Sequence, residues 1–381
     1  MEEHLKKLIS SIQKNVVLEK DYLEIYNDYL NNFNKIIVID DNLNFKQKEF
    51  WDKALLGIKA EITMYTYSDF LVYFNELKKN DKKINSVDTI ILIGELKTKD
   101  FYSEVFVKGP GLRKKLNKTN TVIGATFVNT DFYQRNIRLS KFSDLAKNVL
   151  PAYALFEDEL SKKIFYRLVI RHILGGRMCL ADLCTFDQYF PPEIVSRLND
   201  NEVFLDCGAS IGDSALPFID IVHNKFKSIY SFEIDKIRYN RFINNPKLSS
   251  DRIKCFNFGV DSESKDISYH NDNSPSYVLS QKSEDVGICH VEAIDNLVEK
   301  KVISNDVSFI KMDIEGAEVG ALLGARKTIM KNKPKMAICV YHKFEDLYKI
   351  PCLIKEIEPS YKLILRQHEE WPCETVCYAF T

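Results

Sequence analysis

One stretch of this 381-residue chain, VFLDCGASIGDS from Val203 to Ser214, constrains the fold more than any other. Its apolar start predicts a short buried strand that ends at Asp206, and Gly208 and Gly212 predict a tight turn into a helix. In an open α/β sheet, a cofactor binds in the crevice beyond the carboxyl ends of the strands. Glycines let the backbone approach such a cofactor closely because they carry no Cβ. The stretch therefore predicts a ligand-binding turn at the edge of a parallel sheet.

The spacing of the turn, D-x-G-x-x-x-G, differs from the G-x-G-x-x-G of dinucleotide binders. A looser turn with a preceding acid suits a cofactor that carries an amino acid tail, such as S-adenosylmethionine (SAM). Glu233 follows the next predicted strand, Ser228–Phe232, at about the spacing of an acid that binds ribose hydroxyls. Two alternatives stay open, an NAD(P)-dependent oxidoreductase that uses the same glycines and a non-catalytic SAM-binding assembly module.

Two further strand ends carry groups suited to proton transfer. Asp313 and Glu315 follow the predicted strand Val307–Met312 and share a side if its two-residue period continues. They could serve as base and orienter, or hold the ammonium group of the cofactor. His342 follows the strand Met336–Val340 and is a candidate general base. We predict no metal ion here, because no histidine or third acid lies at ligand spacing along this stretch.

The amino-terminal third predicts a smaller α/β domain of degenerate Rossmann type. Its first strand ends in Ile39-Asp40-Asp41-Asn42, which lacks the glycine of a phosphate loop, so nucleotide binding is not expected. We expect this domain to recognise the acceptor or to form a homo-oligomer. Its predicted strands are Lys35–Asp40, Glu61–Tyr65, Val87–Glu95 and Thr121–Thr126, and its predicted helices are Gln47–Leu56 and Phe70–Lys78.

Bulk properties narrow the class of partner. A formal net charge of −1 gives no reason to expect nucleic acid as a partner. No apolar run is long enough to span a membrane. The nine cysteines show no C-x-x-C spacing, which fits reduced thiols and a cytoplasmic location.

Residues 151–381 resemble the FkbM-type SAM-dependent methyltransferases, in particular a bacterial subgroup. The resemblance implies a seven-stranded Rossmann-like sheet with a closing hairpin, formed here by Tyr361–Gln367 and Thr375–Phe380. It also implies O-methylation of a small-molecule or carbohydrate acceptor, such as a sugar hydroxyl. The matching stretches are Gln188–Pro191, Glu202–Ser214, Phe232–Asp235, Phe309–Glu318, Lys335–Lys343 and Glu374–Ala379.

The sequence thus predicts three regions: an N-terminal domain over 1–150, a helical connector over 151–200 and a methyltransferase domain over 201–381. The aromatic and amide groups of Gln188–Pro192 either line the site or form a structural lead-in to it. The predicted catalytic residues are His342, Asp313 and Glu315. The predicted SAM-binding residues are Asp206, Gly208, Ala209, Gly212, Asp213, Glu233, Val260 and Asp313.

Overall fold

A computed structural model describes residues 1–3, 5–6, 31, 34–39, 52, 55–80, 89–93, 125–127, 142–174, 180, 183–270, 286–369 and 373–381. The chain divides into two compact units, each treated by itself below. The first comprises Met1–Leu150, Lys163–Cys184 and Glu369–Pro372; the second comprises Pro151–Lys162, Thr185–His368 and Cys373–Thr381. The predicted division into three regions stays a prediction. Among the described helices, none has both the length and the apolar character needed to cross a bilayer.

The first unit contains a four-stranded parallel sheet in the order β2-β1-β3-β4. Each strand falls within or close to a predicted one, and β1 is buried along most of its length. The helix predicted at Gln47–Leu56 lies mostly outside the described residues. The elements are β1 (Lys35–Ile39), β2 (Glu61–Tyr65), α1 (Tyr67–Lys79), β3 (Thr89–Ile93) and β4 (Ala125–Phe127). Two further helices, α2 (Phe142–Ala154) and α3 (Glu159–Leu174), each have residues assigned to both units.

The second unit is built on a seven-stranded sheet. Its strands are β5 (Val203–Cys207), β6 (Ser228–Phe232), β7 (Ile253–Phe256), β11 (Phe309–Met312), β12 (Lys335–Cys339), β13 (Lys362–Gln367) and β14 (Thr375–Phe380). The helices are α4 (Pro192–Val195), α5 (Ala215–Ile221), α6 (Lys236–Ile243), α7 (Ile294–Glu299), α8 (Glu318–Gly324), α9 (Arg326–Asn332) and α10 (Asp346–Ile357).

The order of this sheet is β13-β14-β12-β11-β5-β6-β7, with only β14 antiparallel to its neighbours. The chain leaves β5 toward β6 on one side and later returns to β11 on the other. The strand order therefore reverses between β5 and β11, and ligands bind outside the carboxyl ends of strands at such a point. This observation confirms the predicted seven-stranded α/β fold and its closing hairpin.

Apolar packing holds β5 and β11 side by side. All five residues of β5 and all four of β11 are buried. The rings of Phe204 and Phe309 stack with centroids 4.8 Å apart, and Phe218 of α5 lies 4.7 Å from Phe204. Aromatic pairs of this kind stabilise a core by about 0.5–1.5 kcal/mol beyond their buried area. This aromatic packing therefore holds in place the two strands that carry the site.

A small sheet that the sequence did not predict follows β7. It pairs β8 (Gly259–Val260) in parallel and β9 (Lys265–His270) in antiparallel fashion with β10 (Val286–Glu292). β7 ends at Phe256, and the chain continues into this second sheet. This pairing places Val260 and Val291 beside the end of the main sheet.

Candidate active site

The turn after β5 requires glycine at its first bend. Gly208 has φ +80°, a left-handed conformation that residues with a Cβ avoid. A Cβ built at Gly208 would lie 1.8 Å from the backbone oxygen of Asp313. Gly212 has φ +95°, and a Cβ there would lie 2.4 Å from Cδ1 of Leu248. The first glycine therefore lets the end of β5 approach the end of β11, and the second seats the turn against the core.

Asp206 lies beneath the turn in a buried ion pair. Its Oδ1 lies 3.3 Å from Nζ of Lys311 and accepts a hydrogen bond of 2.7 Å from Ser214. Lys311 also donates a 2.6 Å bond to the carbonyl oxygen of Gly208. Burial alone would lower the pKa of Lys311, but the carboxylates of Asp206 and Asp313 outweigh it and raise the pKa. The ion pair of Asp206 and Lys311, together with the bond to Gly208, thus stabilises the conformation of the turn.

Glu233 closes the opposite side of the site. Its Oε2 accepts a 2.7 Å hydrogen bond from the backbone N–H of Ser210, and its Oε1 accepts one of 2.8 Å from Asp235. Burial raises the pKa of Glu233, although these two N–H donors act in the opposite direction. A carboxylate oxygen has two lone pairs, so each oxygen can accept one further hydrogen bond. Glu233 can therefore receive two hydroxyl groups of a ligand.

A cavity of about 380 Å³ opens between these groups. Within the second unit, six of the predicted site residues line it: Gly208, Asp213, Glu233, Val260, Asp313 and Glu315. The other predicted residues, Asp206, Ala209, Gly212 and His342, are not part of its lining. Asp206 and Ala209 are fully buried. The predicted residues therefore form two groups, six that line the cavity and four that are not part of its lining.

Asp313 is the most heavily contacted acid of the lining. Its Oδ2 accepts a 2.6 Å hydrogen bond from Tyr189, and its Oδ1 accepts one of 3.2 Å from Tyr341. The side chain of His342 is buried, and its Nε2 lies 3.3 Å from Oδ1 of Asp313 and 3.3 Å from Oε2 of Glu315. Burial would raise the pKa of Asp313, but the positive charges of His342 and Lys311 hold it well below its usual range.

The histidine carries a proton in this arrangement. Burial alone would lower the pKa of His342, but the carboxylates of Asp313 and Glu318 outweigh it and raise the pKa to about 10. Nδ1 of His342 lies 3.0 Å from Oε1 of Glu318, which is fully buried. Burial also raises the pKa of Glu315, to about 7. At neutral pH His342 is therefore an imidazolium among carboxylates.

The sequence analysis missed several residues of the site. Glu374 follows a loop before β14, lines the cavity, and accepts hydrogen bonds from Gln188 and, at 3.4 Å, from Tyr341. Tyr189 has φ +67° and also lines the cavity, so the stretch that includes Gln188 belongs to the site. The signal for Lys311 was available, since a lysine inside an apolar strand needs a buried acid as partner.

The fold and the site define a doubly wound α/β protein with a cavity at its topological switch point. Residues 206–358 match the family model of the Methyltransferase FkbM domain. The predicted resemblance is thereby confirmed.

Two solved structures are similar. A crystal structure of methyltransferase FkbM from Methylobacillus flagellatus KT aligns over 100% of both chains, with a TM-score of 0.55 and 19% sequence identity. At that identity the likeness shows a common fold. A SAM-dependent methyltransferase from Aquifex aeolicus aligns over 51% of this chain and 90% of its own, at 13% identity and a TM-score of 0.29, too low to carry an argument. No curated protein matches the sequence.

Proposed function

We propose that this protein is a SAM-dependent methyltransferase that methylates a hydroxyl group of a sugar, a glycan precursor or a related metabolite. The observation that carries the proposal is the shared cavity. Gly208, Asp213 and Glu233, the predicted cofactor side, line the same space as Asp313 and Glu315, the predicted catalytic side. A donor and an acceptor bound to the two sides would meet within one pocket.

On the cofactor side, Glu233 is suited to the ribose because its two oxygens can each accept a hydroxyl proton. Val260 offers an apolar surface to the adenine ring. Gly208 and Asp213 also line the cavity and would hold the methionine portion of SAM. Asp206 lies beneath the turn, so it would contribute to SAM binding by stabilising the conformation of the turn and not by contacting SAM.

SAM, when bound, would supply its methyl group by an in-line displacement, in which an acceptor oxygen would bond to the methyl carbon and the electrons of the broken carbon–sulfur bond would stay on sulfur as a neutral thioether. Alignment of the two reactants can lower the barrier by about 7–11 kcal/mol. A positioned base adds about 10²–10⁴-fold. Positioning is therefore the larger contribution.

The hydroxyl proton needs an acceptor in the lining. Both oxygens of Asp313 already accept hydrogen bonds from tyrosines, whereas Glu315 faces the cavity with its carboxylate beside His342. We assign proton acceptance to Glu315, and the orientation of the two carboxylates to His342.

The acceptor side also offers groups that bind polyols. Tyr341 and Glu374 line the cavity next to Tyr189, so hydroxyl and carboxylate groups surround the space left for the acceptor. Such groups pair with sugar hydroxyls at several angles. This lining supports a hydroxyl-rich acceptor.

The nine cysteines without C-x-x-C spacing support a cytoplasmic location. The first unit is proposed to recognise the acceptor or to form a homo-oligomer.

The test of cofactor binding is calorimetric titration of the purified chain with SAM and, separately, with NAD. We expect SAM to bind and NAD not to bind. Glu233→Gln should weaken SAM binding at least tenfold, because an amide replaces one acceptor oxygen by a donor. Glu299→Gln changes an exposed carboxylate of the same unit and serves as the matched control. Binding of NAD in place of SAM would favour the oxidoreductase alternative.

The test of acceptor class follows methyl-labelled SAM into a panel of neutral sugars, sugar phosphates and amines. Transfer to a hydroxyl of a sugar is expected. Transfer to amines alone would replace the proposed O-methylation by N-methylation, and SAM binding without transfer to any acceptor would favour the assembly module.

A further inference from the structure

Three potential metal ligands converge behind the lining of the cavity. Asp313 follows β11, Glu318 begins α8, and His342 follows β12. One ligand atom from each lies within 4.8 Å of the other two. We propose that Asp313, Glu318 and His342 form a binding site for one divalent transition-metal ion. Binding of the ion stands on this geometry, whereas its part in the reaction rests on the proposed function.

The spacing is close to that of a loaded site. Nitrogen and oxygen ligands bind such ions at about 2.0–2.2 Å, which places two ligand atoms of one ion about 3–4.4 Å apart. An imidazole binds one ion through one nitrogen only, and one ligand atom from each of the three residues lies within 4.8 Å of the other two. Side-chain movements of under about 1 Å would bring these three atoms to that spacing.

Unsatisfied buried atoms give an independent reason for a cation. The side chain of His342 is 7% exposed, and neither ring nitrogen makes a hydrogen bond of acceptable geometry despite the nearby oxygens. Glu318 is fully buried, and its Oε2 has no hydrogen-bond partner. A buried carboxylate oxygen without a partner is costly. A metal ion would displace one proton of His342 and satisfy both the imidazole nitrogen and the carboxylate.

The residue types select the kind of ion. Imidazole with carboxylates suits manganese, iron or zinc, whereas Mg²⁺ and Ca²⁺ prefer ligand sets made of oxygen alone. Three protein ligands leave coordination positions open. Because Asp313 also lines the cavity, an acceptor hydroxyl could occupy one of them and be polarised there. Its proton would still pass to Glu315.

Ligand spacing along the chain is absent, and for that reason the sequence predicts no metal ion at these residues. The fold supplies that spacing instead. Glu315 and Gly316 have φ of +56° and +93° and turn the chain so that Glu318 lies back toward Asp313. His342 reaches the same point from the neighbouring strand β12.

The test uses the full chain, treated with a chelator and titrated with Mn²⁺ while electron paramagnetic resonance measures the free ion. We expect one ion bound per chain. Glu318→Gln and His342→Gln should each weaken binding at least about 100-fold, since loss of an outer-shell partner alone costs about 10–100-fold. Glu299→Gln should bind as the parent does. If one site variant does not fold, anomalous diffraction from an Mn²⁺-soaked crystal of the parent locates the ion among the three residues.

A parent chain that binds neither Mn²⁺ nor Zn²⁺ would overturn the proposal, as would unchanged binding in both site variants or an anomalous peak elsewhere. SAM titration of the parent separates the two proposals. SAM binding without metal binding leaves the proposed function standing and removes the metal site alone.

Discussion

The buried pair of Asp206 and Lys311 yields the sharpest prediction. Replacing Lys311 with methionine keeps the length of the side chain and removes its charge. The two charges lie 3.3 Å apart, and both side chains are at most 2% exposed. At an effective dielectric constant of about 20, unit charges at this distance attract by about 5 kcal/mol. Breaking such a pair costs about 3–5 kcal/mol, because the remaining charge is buried without compensation.

We therefore expect Lys311→Met to lower the free energy of unfolding by about 3–5 kcal/mol, measured by chemical denaturation and far-UV circular dichroism. The double variant Asp206→Asn, Lys311→Met should regain most of that loss, because no buried charge is left alone. It should still bind SAM, but more weakly than the parent, because the turn loses the bond that Lys311 donates to the carbonyl oxygen of Gly208. Arg326→Met is the control: Arg326 lies 3.2 Å from Glu356 in an exposed pair, and its loss should cost under about 1 kcal/mol.

The reasoning fails if Lys311→Met costs no more than the exposed control. It also fails if the double variant is no more stable than the single one. A double variant that is stable but binds no SAM would return Asp206 to the ligand-binding role predicted from the sequence.

Three further predictions concern the turn, the lining and the dependence of stability on pH. Gly208→Ala should abolish SAM binding, because the added Cβ would meet a backbone oxygen. The control Gly57→Ala, at φ +84° with open space around it, should cost only about 1–2 kcal/mol of stability. Equal losses in the free energy of unfolding of the two variants would contradict the clash at Gly208. Tyr189→Phe removes a hydrogen bond to the carboxylate of Asp313 and should slow methyl transfer without weakening SAM binding, measured by turnover and calorimetry. Burial alone would raise the pKa of Glu292, but hydrogen bonds to its carboxylate hold it at about 2 against 4.5 unfolded. The ionised form thus stabilises the fold above about pH 4.5, so Glu292→Gln should cost about 1.5–3 kcal/mol at neutral pH and little below about pH 2, measured by denaturation across that range.

The strand ends of the second unit could be predicted because each acid stands near or just after the end of a strand pattern. Asp206 is the fourth residue of the five-residue β5, and Glu233 and Asp313 come directly after β6 and β11. Parallel strands gather their carboxyl ends at one edge of a sheet. The sequence could not distinguish residues that line the cavity from buried residues, such as Asp206, that stabilise it from behind. Burial of Asp206 depends on Lys311 arriving from β11, a contact between residues about a hundred positions apart.

The cluster around His342 was beyond local reasoning for a similar cause. In the sequence, Glu318 resembles the first residue of an amphipathic helix. The left-handed conformation of Glu315 is what directs the carboxylate of Glu318 toward His342. The small sheet of β8, β9 and β10 was missed because β8 has two residues, too few for a periodic pattern. In the first unit the predicted strands β1 and β2 appear because they are continuous apolar or alternating runs.

The placement of β14 has a consequence for how the molecule can be cut. This strand comes after all the others along the chain but lies between β12 and β13 in the sheet, and its approach carries Glu374 to the cavity. A fragment that stops before residue 374 would leave β12 with a bare hydrophobic edge, open to association with other molecules. Truncation from this side should therefore yield aggregates rather than a smaller working domain.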